Sequence, residues 1–131
     1  MPADGPGRSV ETWGLSTLVG FETKRVFWLT NIAPGQWRGR HAHRESILAT
    51  FAVTGKCRIT LDNGEYQQVV DLCDTGTGLI VGPLIWHDLF EFSSGCVVLV
   101  AASTLYDESE YIRDYDTFLK ESKSRRQTHT V

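Results

Sequence analysis

The sequence has few of the features that mark several large classes of protein. It has only three cysteines among 131 residues, Cys57, Cys73 and Cys96, and no two of them form a CxxC pair. An odd number of well-separated cysteines argues against a disulfide scaffold or a zinc knot. It is typical of a protein kept in a reducing compartment, so we expect a cytoplasmic location.

Long apolar runs and an excess of positive charge are also missing. The longest apolar run, 96–102, is far shorter than the roughly 20 residues of a membrane-spanning helix. The first residues contain no apolar stretch of the kind found in a signal peptide. Thirteen Lys and Arg residues stand against 16 Asp and Glu residues, for a net charge of −3. We therefore expect neither a membrane protein nor a general nucleic-acid binder, although a few local arginines can still bind one phosphate group.

The sequence does contain a series of short β-strand signals separated by turn residues. Asp62-Asn63-Gly64 predicts a tight hairpin, because Asn-Gly favours a type I′ turn. Strands at this even spacing, without helices between them, predict an antiparallel sandwich or barrel. The segments rich in β-branched and aromatic residues, or alternating in polarity, are 17–22, 25–30, 47–53, 57–61, 65–72, 78–83, 86–92 and 96–103.

One segment near the C-terminus differs from the rest. Between 110 and 120, Tyr111, Tyr115, Phe118 and Leu119 recur at helical spacing, and Ser109 can cap a helix that starts there. We therefore predict a single all-β domain over 1–131 with one C-terminal helix. A flexible arm over about 1–12 and a polar tail over about 122–131 would flank it.

The sharpest local feature is the segment Arg38-Gly39-Arg40-His41-Ala42-His43-Arg44. Residues two apart on a strand face the same side, so His41 and His43 would direct two imidazoles into one space. We expect the flanking arginines to lower the pKa of both histidines. Neutral imidazoles near pH 7 can act as general bases.

These residues resemble a known family. An H-x-H pair followed by a Pro-x-x-x-His segment, here ending at His87, is the pattern of the cupin jelly roll. The segment 38–43 is similar to the R-G-x-H-A-H signature of the sugar-nucleotide 3,4-ketoisomerases, the WxcM-like cupins. Similar blocks at 55–64, 78–87, 92–94 and 106–115 extend the resemblance from about Leu18 to Lys120. The resemblance implies a cupin-type antiparallel jelly-roll barrel, a homodimer that exchanges N-terminal strands, and catalysis without a metal or other cofactor.

The resemblance also implies a reaction and a set of site residues. The C4 ketone of a dTDP-linked 6-deoxyhexose would move to C3 through an enediol, in the biosynthesis of deoxyamino sugars. His43 would move the carbon-bound proton, and His41 would move the proton between the two oxygens. Substrate-binding candidates are Arg38, for a phosphate or the enediolate, and Arg40, together with His87 and the aromatic residues Trp28 and Trp86.

The chain departs from the family pattern at three places. Phe27-Trp28 stands where the family usually has a tyrosine that would help to bind the sugar, and Leu48 stands where a glutamine is common. Near the first strand, Leu15-Ser16 stands where members often have an Arg-Gly or similar polar pair. Two alternatives stay open. One is a different cupin enzyme, either metal-dependent through three histidines or a 3,5-epimerase of dTDP-4-keto sugars; Glu45, however, lies too close to His43 for the usual acidic ligand. The other is a non-catalytic cupin that binds a sugar nucleotide.

Overall fold

Two antiparallel β-sheets and a C-terminal helix make up the protein in the computed structural model, which describes residues 19–74 and 78–129. A short 3-10 helix at Glu108–Glu110 precedes the last strand. The strands are β1 Arg25–Leu29, β2 Arg38–His43, β3 Leu48–Thr54, β4 Lys56–Asp62, β5 Gln67–Cys73, β6 Leu79–Val81, β7 Trp86–Phe90, β8 Val97–Ala102 and β9 Tyr111–Ile112, and the helix α1 is Tyr115–His129.

The two sheets face each other across an apolar core. One sheet has the strand order β1-β8-β3-β6, and the other has the order β5-β4-β7-β2-β9. Alternation along the strands builds this core: in β4, Cys57 and Ile59 are buried, whereas Lys56 and Arg58 are exposed. The architecture confirms the predicted antiparallel β fold of the cupin type with one C-terminal helix.

The hairpin predicted at Asn63-Gly64 is present between β4 and β5, but its loop is longer than a two-residue turn. Asp62 pairs with Gln67, so four residues lie between the strands. Gly64 has a φ of 93°, whereas Asn63 is not among the residues with positive φ, as a type I′ turn would require. Side chains stabilise the longer loop. The Asp62 carboxylate accepts the Gly64 N–H at 2.7 Å, and the Asn63 side chain accepts the Tyr66 N–H at 2.8 Å.

The helix predicted over 110–120 is misplaced at both ends. Tyr111 and Ile112 pair with β2 as strand β9, because a free sheet edge gives them backbone partners that outweigh their helical spacing. Asp114, not Ser109, caps α1, since its carboxylate accepts the Thr117 N–H at 2.9 Å. The helix then continues to residue 129, through most of the predicted polar tail.

The N-terminal predictions fall partly outside the described residues. The arm predicted over about 1–12 lies outside them, as do 17 and 18 of the strand predicted over 17–22; residues 19 and 20 of that strand are in a helical turn and a turn instead. Across 19–74 and 78–129, no helix has the length and apolar character needed to span a membrane.

Candidate active site

Three histidines from two neighbouring strands meet between the sheets. The ring centroids of His41 and His43 on β2 are 4.9 Å apart, and the centroid of His87 on β7 lies 4.7 Å from that of His41. His43 and His87 are 2% and 3% exposed, whereas His41 is half-buried. Solvent therefore reaches this cluster at His41.

A β-bulge sets the direction of the side chains on β2. Arg38 pairs with Leu89 on β7, and His41 pairs with His87. Strand β2 therefore contains one more residue than β7 between these two pairs. Gly39 and Arg40 take positive φ values of 87° and 58° to accommodate it. As a result Arg38 and His41 face the same side although they are three residues apart.

The position of Gly39 in this bulge requires the absence of a side chain. A Cβ atom there would lie 2.9 Å from the backbone oxygen of His87. Glycine also adopts a φ of 87° without steric cost. The bulge that orients His41 therefore depends on this glycine.

Each histidine of the cluster has its Nδ1 atom next to a hydrogen-bond acceptor. Nδ1 of His41 lies 2.9 Å from the Gly39 carbonyl oxygen, and Nδ1 of His87 lies 3.2 Å from the Ile85 carbonyl oxygen. Nδ1 of His43 lies 2.5 Å from a carboxylate oxygen of Glu110. Carbonyl and carboxylate oxygens only accept, so the proton resides on Nδ1 and the lone pair on Nε2. The cluster thus offers three Nε2 lone pairs.

Glu110, which sequence reasoning missed, is the acid that orients His43. It is 7% exposed and accepts three further hydrogen bonds: from the Ser46 hydroxyl at 2.7 Å, and from the Glu45 and Ser46 N–H groups at 3.1 and 3.2 Å. Burial alone would raise the pKa of Glu110. The hydrogen bonds from Ser46 and His43 outweigh burial and leave that pKa below its usual value. Glu110 is therefore a buried carboxylate anion.

Burial is the main reason that all three imidazoles are neutral. It lowers the pKa of His41 to about 4 and that of His87 to about 3. Burial also lowers the pKa of His43, and the hydrogen bond to Glu110 offsets part of this effect. The expectation that the flanking arginines cause the shifts is wrong, because the arginines that contribute for His43 are Arg25 and Arg113.

The three flanking arginines have other contacts. Arg44 forms an ion pair with Glu121 at 2.7 Å. The guanidinium of Arg40 lies 4.7 Å from the ring centroid of Trp37, outside the histidine cluster, because the bulge turns this exposed residue away from it. Arg38 faces the His41 side and donates to the Trp37 carbonyl oxygen at 2.8 Å. Of the three, only Arg38 lies on the same face as the histidines.

The structure places the two candidate tryptophans away from the histidines. Trp28 is 56% exposed and alternates along β1 with Phe27, which packs against the core. Trp86 precedes His87 on β7 and therefore faces the opposite side, where its ring lies 5.6 Å from that of Phe118 on α1. Within one chain, neither indole contacts the cluster.

A second set of residues lies next to the histidines, around the ring of Tyr111. The Tyr111 ring centroid is 4.4 Å from that of His43 and 5.0 Å from that of His41. Both Nη atoms of Arg25 lie 3.2 Å from the Tyr111 hydroxyl oxygen. Arg113 stacks over the Tyr111 ring at 4.6 Å. In the sequence, the one signal at Tyr111 is an aromatic side chain at helical spacing, which predicts helix packing and not a place in the site.

The histidine cluster also has the composition of a metal site. One nitrogen from each of His41, His43 and His87 lies within 4.8 Å of the others. Neutral imidazole nitrogens are common zinc ligands, so these three residues are the ones that would hold such an ion.

Comparison with known proteins relates this site to a group of sugar-nucleotide isomerases. Residues 4–123 match the model of the family described as FdtA, WxcM-like, C-terminal. A TDP-4-oxo-6-deoxy-alpha-D-glucose-3,4-oxoisomerase from Aneurinibacillus thermoaerophilus is 41% identical over 102 residues, which cover 78% of this chain and 73% of that protein.

Two solved structures share the fold closely. A histidine-to-asparagine mutant of the 3,4-ketoisomerase QdtA from Thermoanaerobacterium thermosaccharolyticum, in complex with TDP-4-keto-6-deoxyglucose, superposes with a TM-score of 0.84 at 35% identity, covering 95% of this chain and 89% of that one. The TDP-fucose-3,4-ketoisomerase WlaRA from Campylobacter jejuni has a TM-score of 0.76 at 36% identity, covering 79% and 76%. The chain therefore belongs to the WxcM-like, C-terminal family.

Proposed function

We propose that this protein is a sugar-nucleotide 3,4-ketoisomerase that converts a TDP-4-keto-6-deoxyhexose into the corresponding 3-keto sugar. The observation that carries the proposal is the arrangement of His43. This imidazole is neutral, its Nδ1 proton is directed at the buried Glu110 carboxylate, and its Nε2 lone pair is free beside the half-buried His41. A base of this kind suits the removal of a proton next to a ketone.

In the first step, Nε2 of His43 takes the proton from C3 of the sugar. The C3–H electron pair forms the C3–C4 double bond, and the π electrons of the C4 carbonyl move to its oxygen, which gives an enediolate. The imidazolium that forms on His43 is stabilised by the Glu110 carboxylate at 2.5 Å. Because Glu110 is already ionised, it stabilises the imidazolium without giving up or taking up a proton in this step.

In the second step, the proton exchanges between the two oxygens and the ketone forms at C3. Nε2 of His41 takes the proton from the C3 hydroxyl and delivers it to the C4 oxygen. His43 then returns a proton to C4 while the C3 carbonyl forms, so both histidines end in their starting state. We assign His87 to the wall of the sugar pocket. Arg38, on the same face as His41, is our candidate for binding a phosphate oxygen.

The test is incubation of the purified protein with TDP-4-keto-6-deoxyglucose in deuterated water, followed by NMR. Isomerisation moves the carbonyl to C3 and places deuterium at C4. A 3,5-epimerase would instead label C3 or C5 and leave the ketone at C4, and a non-catalytic binder would exchange no carbon-bound proton. Either of these last two results would overturn the proposal.

The metal-dependent alternative has one structural observation in its favour, the three clustered histidines. Elemental analysis of the purified protein, combined with assays before and after chelation, separates it from the proposal. We expect turnover to be unchanged by chelation, since the proposed steps need only free Nε2 lone pairs. Loss of turnover on chelation, with recovery on adding a divalent ion, would favour the alternative.

We further propose that the protein is a cytoplasmic homodimer formed through its N-terminal strands. Support comes from β1, which is the edge strand of its sheet among the described residues. Its side chains Val26 and Trp28 are 45% and 56% exposed. Exposed apolar residues on an edge strand are suited to pairing with a second chain. Light scattering coupled to size-exclusion chromatography should give twice the chain mass, and a monomer would contradict this proposal.

A further inference from the structure

The proposed reaction creates a negative charge that the histidines cannot stabilise alone. When the C3 proton leaves, charge develops on the C4 oxygen, and a fixed hydrogen-bond donor at that point stabilises the transition state. All three imidazoles direct their Nδ1 protons at protein acceptors and offer only lone pairs at Nε2. A donor from another residue is therefore required.

Tyr111 has the position and the free proton to be that donor. It pairs with His43 across β9 and β2, and among the described tyrosines it alone has ring contacts with the histidines. Its hydroxyl oxygen accepts hydrogen bonds from both Nη atoms of Arg25, at 3.2 Å each. Since those contacts use only the oxygen's lone pairs, the phenolic proton remains available to donate.

Arg25 supplies a positive charge with no matching carboxylate. It extends from β1 in one sheet to Tyr111 in the other, and its guanidinium lies 5.1 Å from the Phe27 ring centroid. Its Nε atom is buried without a hydrogen-bond partner, and no ion pair to Arg25 occurs within 19–74 and 78–129. A partly buried cation without a counter-ion is unfavourable unless an anion forms near it.

We infer that Tyr111 donates the hydrogen bond that stabilises the enediolate oxygen, and that Arg25 positions and polarises the Tyr111 phenol. This inference rests on the proposed ketoisomerase function and assigns to it a further catalytic residue and a positioning residue. It also replaces Arg38 as the candidate for stabilising the enediolate, since the Arg38 guanidinium donates to Trp37 and Gln36 instead.

Tyr111→Phe is the direct test, and Tyr106→Phe is its matched control. Phenylalanine keeps the ring contacts and removes only the hydroxyl, so we expect kcat to fall by roughly 10²–10³ with KM changed less than about threefold. The rate of deuterium exchange at C3 should fall in parallel, because enediolate formation itself is slowed. Tyr106, whose ring is 5.6 Å from that of Tyr111 and whose hydroxyl donates to Glu108, should tolerate the same change.

The role of Arg25 is tested by a double-mutant cycle. Arg25→Met should lower kcat in the wild-type background but have little further effect in the Tyr111→Phe background, because both changes disrupt the same Arg25–Tyr111 interaction. Arg25→Lys, which keeps the charge, should recover part of kcat. Thermal unfolding and TDP binding, measured on each variant, identify any variant that has lost its fold. If Arg25→Met does not fold, the cycle is measured with Arg25→Lys instead.

Three results would overturn the inference: a Tyr111→Phe enzyme with unchanged kcat, unchanged exchange at C3 despite slower isomerisation, or fully additive effects of the Arg25 and Tyr111 changes. Failure of the proposed function looks different, because the wild-type protein itself would then not isomerise the sugar. An active wild type with an equally active Tyr111→Phe variant would contradict only the inference.

Discussion

Glu110 determines which nitrogen of His43 can act as a base. A carboxylate in contact with Nδ1 keeps the proton on that atom, so Nε2 presents its lone pair to the sugar. The same carboxylate then faces the imidazolium that forms during turnover. One buried acid therefore contributes both to orientation and to charge stabilisation.

At the scale of single residues, substitutions of the two histidines on β2 should affect the reaction differently. His43→Asn removes the carbon base, so we expect kcat to fall by roughly 10²–10⁴ and deuterium exchange at C3 to fall with it. His41→Asn should slow isomerisation while exchange at C3 continues, because enediolate formation does not need His41. NMR time courses in deuterated water distinguish the two. Unchanged turnover in His43→Asn would contradict the assignment.

Replacing Glu110 by glutamine keeps an oxygen acceptor but removes the charge. A hydrogen bond to a charged group contributes about 1.5–3 kcal/mol, so we expect kcat to fall roughly 10- to 100-fold. Glu110 raises the pKa of His43 against the effect of burial. Its loss should lower that pKa further and move the acid limb of the pH profile of kcat/KM to lower pH. An acid limb at the same pH as in the wild type would contradict this role.

The candidate site was predictable from the sequence only where its residues are close together along the chain. The H-x-H spacing predicts that His41 and His43 share a face, and the structure has that arrangement. Glu110 lies 67 residues from its partner His43, so its role depends on a tertiary contact that local spacing does not reveal. The prediction that Arg40 shares the histidine face is wrong for a different reason. The bulge in β2 interrupts the alternation of side chains between the two faces, on which that prediction depends.

At the scale of elements, the bulge in β2 gives a prediction with a built-in control. Gly39→Ala places a Cβ atom 2.9 Å from the His87 backbone oxygen, whereas Gly35→Ala meets nothing within 4 Å. Both glycines have nearly the same φ, 87° and 85°, so both variants incur a similar backbone cost of about 1–2 kcal/mol. We expect Gly39→Ala to lower the free energy of unfolding by more than this and to lower kcat.

Denaturant titrations and steady-state assays on the two glycine variants check this expectation. Gly35→Ala should keep the wild-type kcat, since its backbone lies outside β2. Equal losses of stability in the two variants, with kcat unchanged in both, would show that the bulge does not position the histidines.

The strands were predicted more reliably than the helix. Alternating and β-branched segments such as 57–61 lie inside observed strands, because alternation reflects burial on one side of a sheet. The prediction that Tyr111 lies in the helix, made from its spacing with Tyr115, is wrong, since Tyr111 pairs with His43 in a sheet. Only Tyr115, Phe118 and Leu119 are in α1, and of these Phe118 is fully buried.

At the scale of the whole molecule, the buried histidines make stability depend on pH. The pKa of His41 is lowered to about 4 and that of His87 to about 3, against 6.5 for an unfolded chain. Between these values the unfolded state binds more protons than the folded state. The free energy of unfolding should therefore fall as the pH is lowered from about 6.5 toward 4.5, by up to about 1.4 kcal/mol per pH unit for each histidine.

Urea titrations at pH 7.0, 6.0 and 5.0 measure this slope. Above about pH 4.5 most carboxylates remain ionised, so the histidines dominate the effect. His87→Phe removes one titrating group and should flatten the slope relative to the wild type. A slope that is the same in both proteins would mean that His87 is not held neutral by the fold.

Strand β9 has only two residues, yet it borders the histidine pair on β2. Its separation from β2 would break few backbone bonds, one of which joins the Arg44 N–H to the Glu110 carbonyl oxygen at 2.7 Å. Such local opening would admit water to His43 while the other strands of both sheets stayed paired. Hydrogen–deuterium exchange at the Arg44 amide therefore measures how often the site becomes hydrated without unfolding of the barrel.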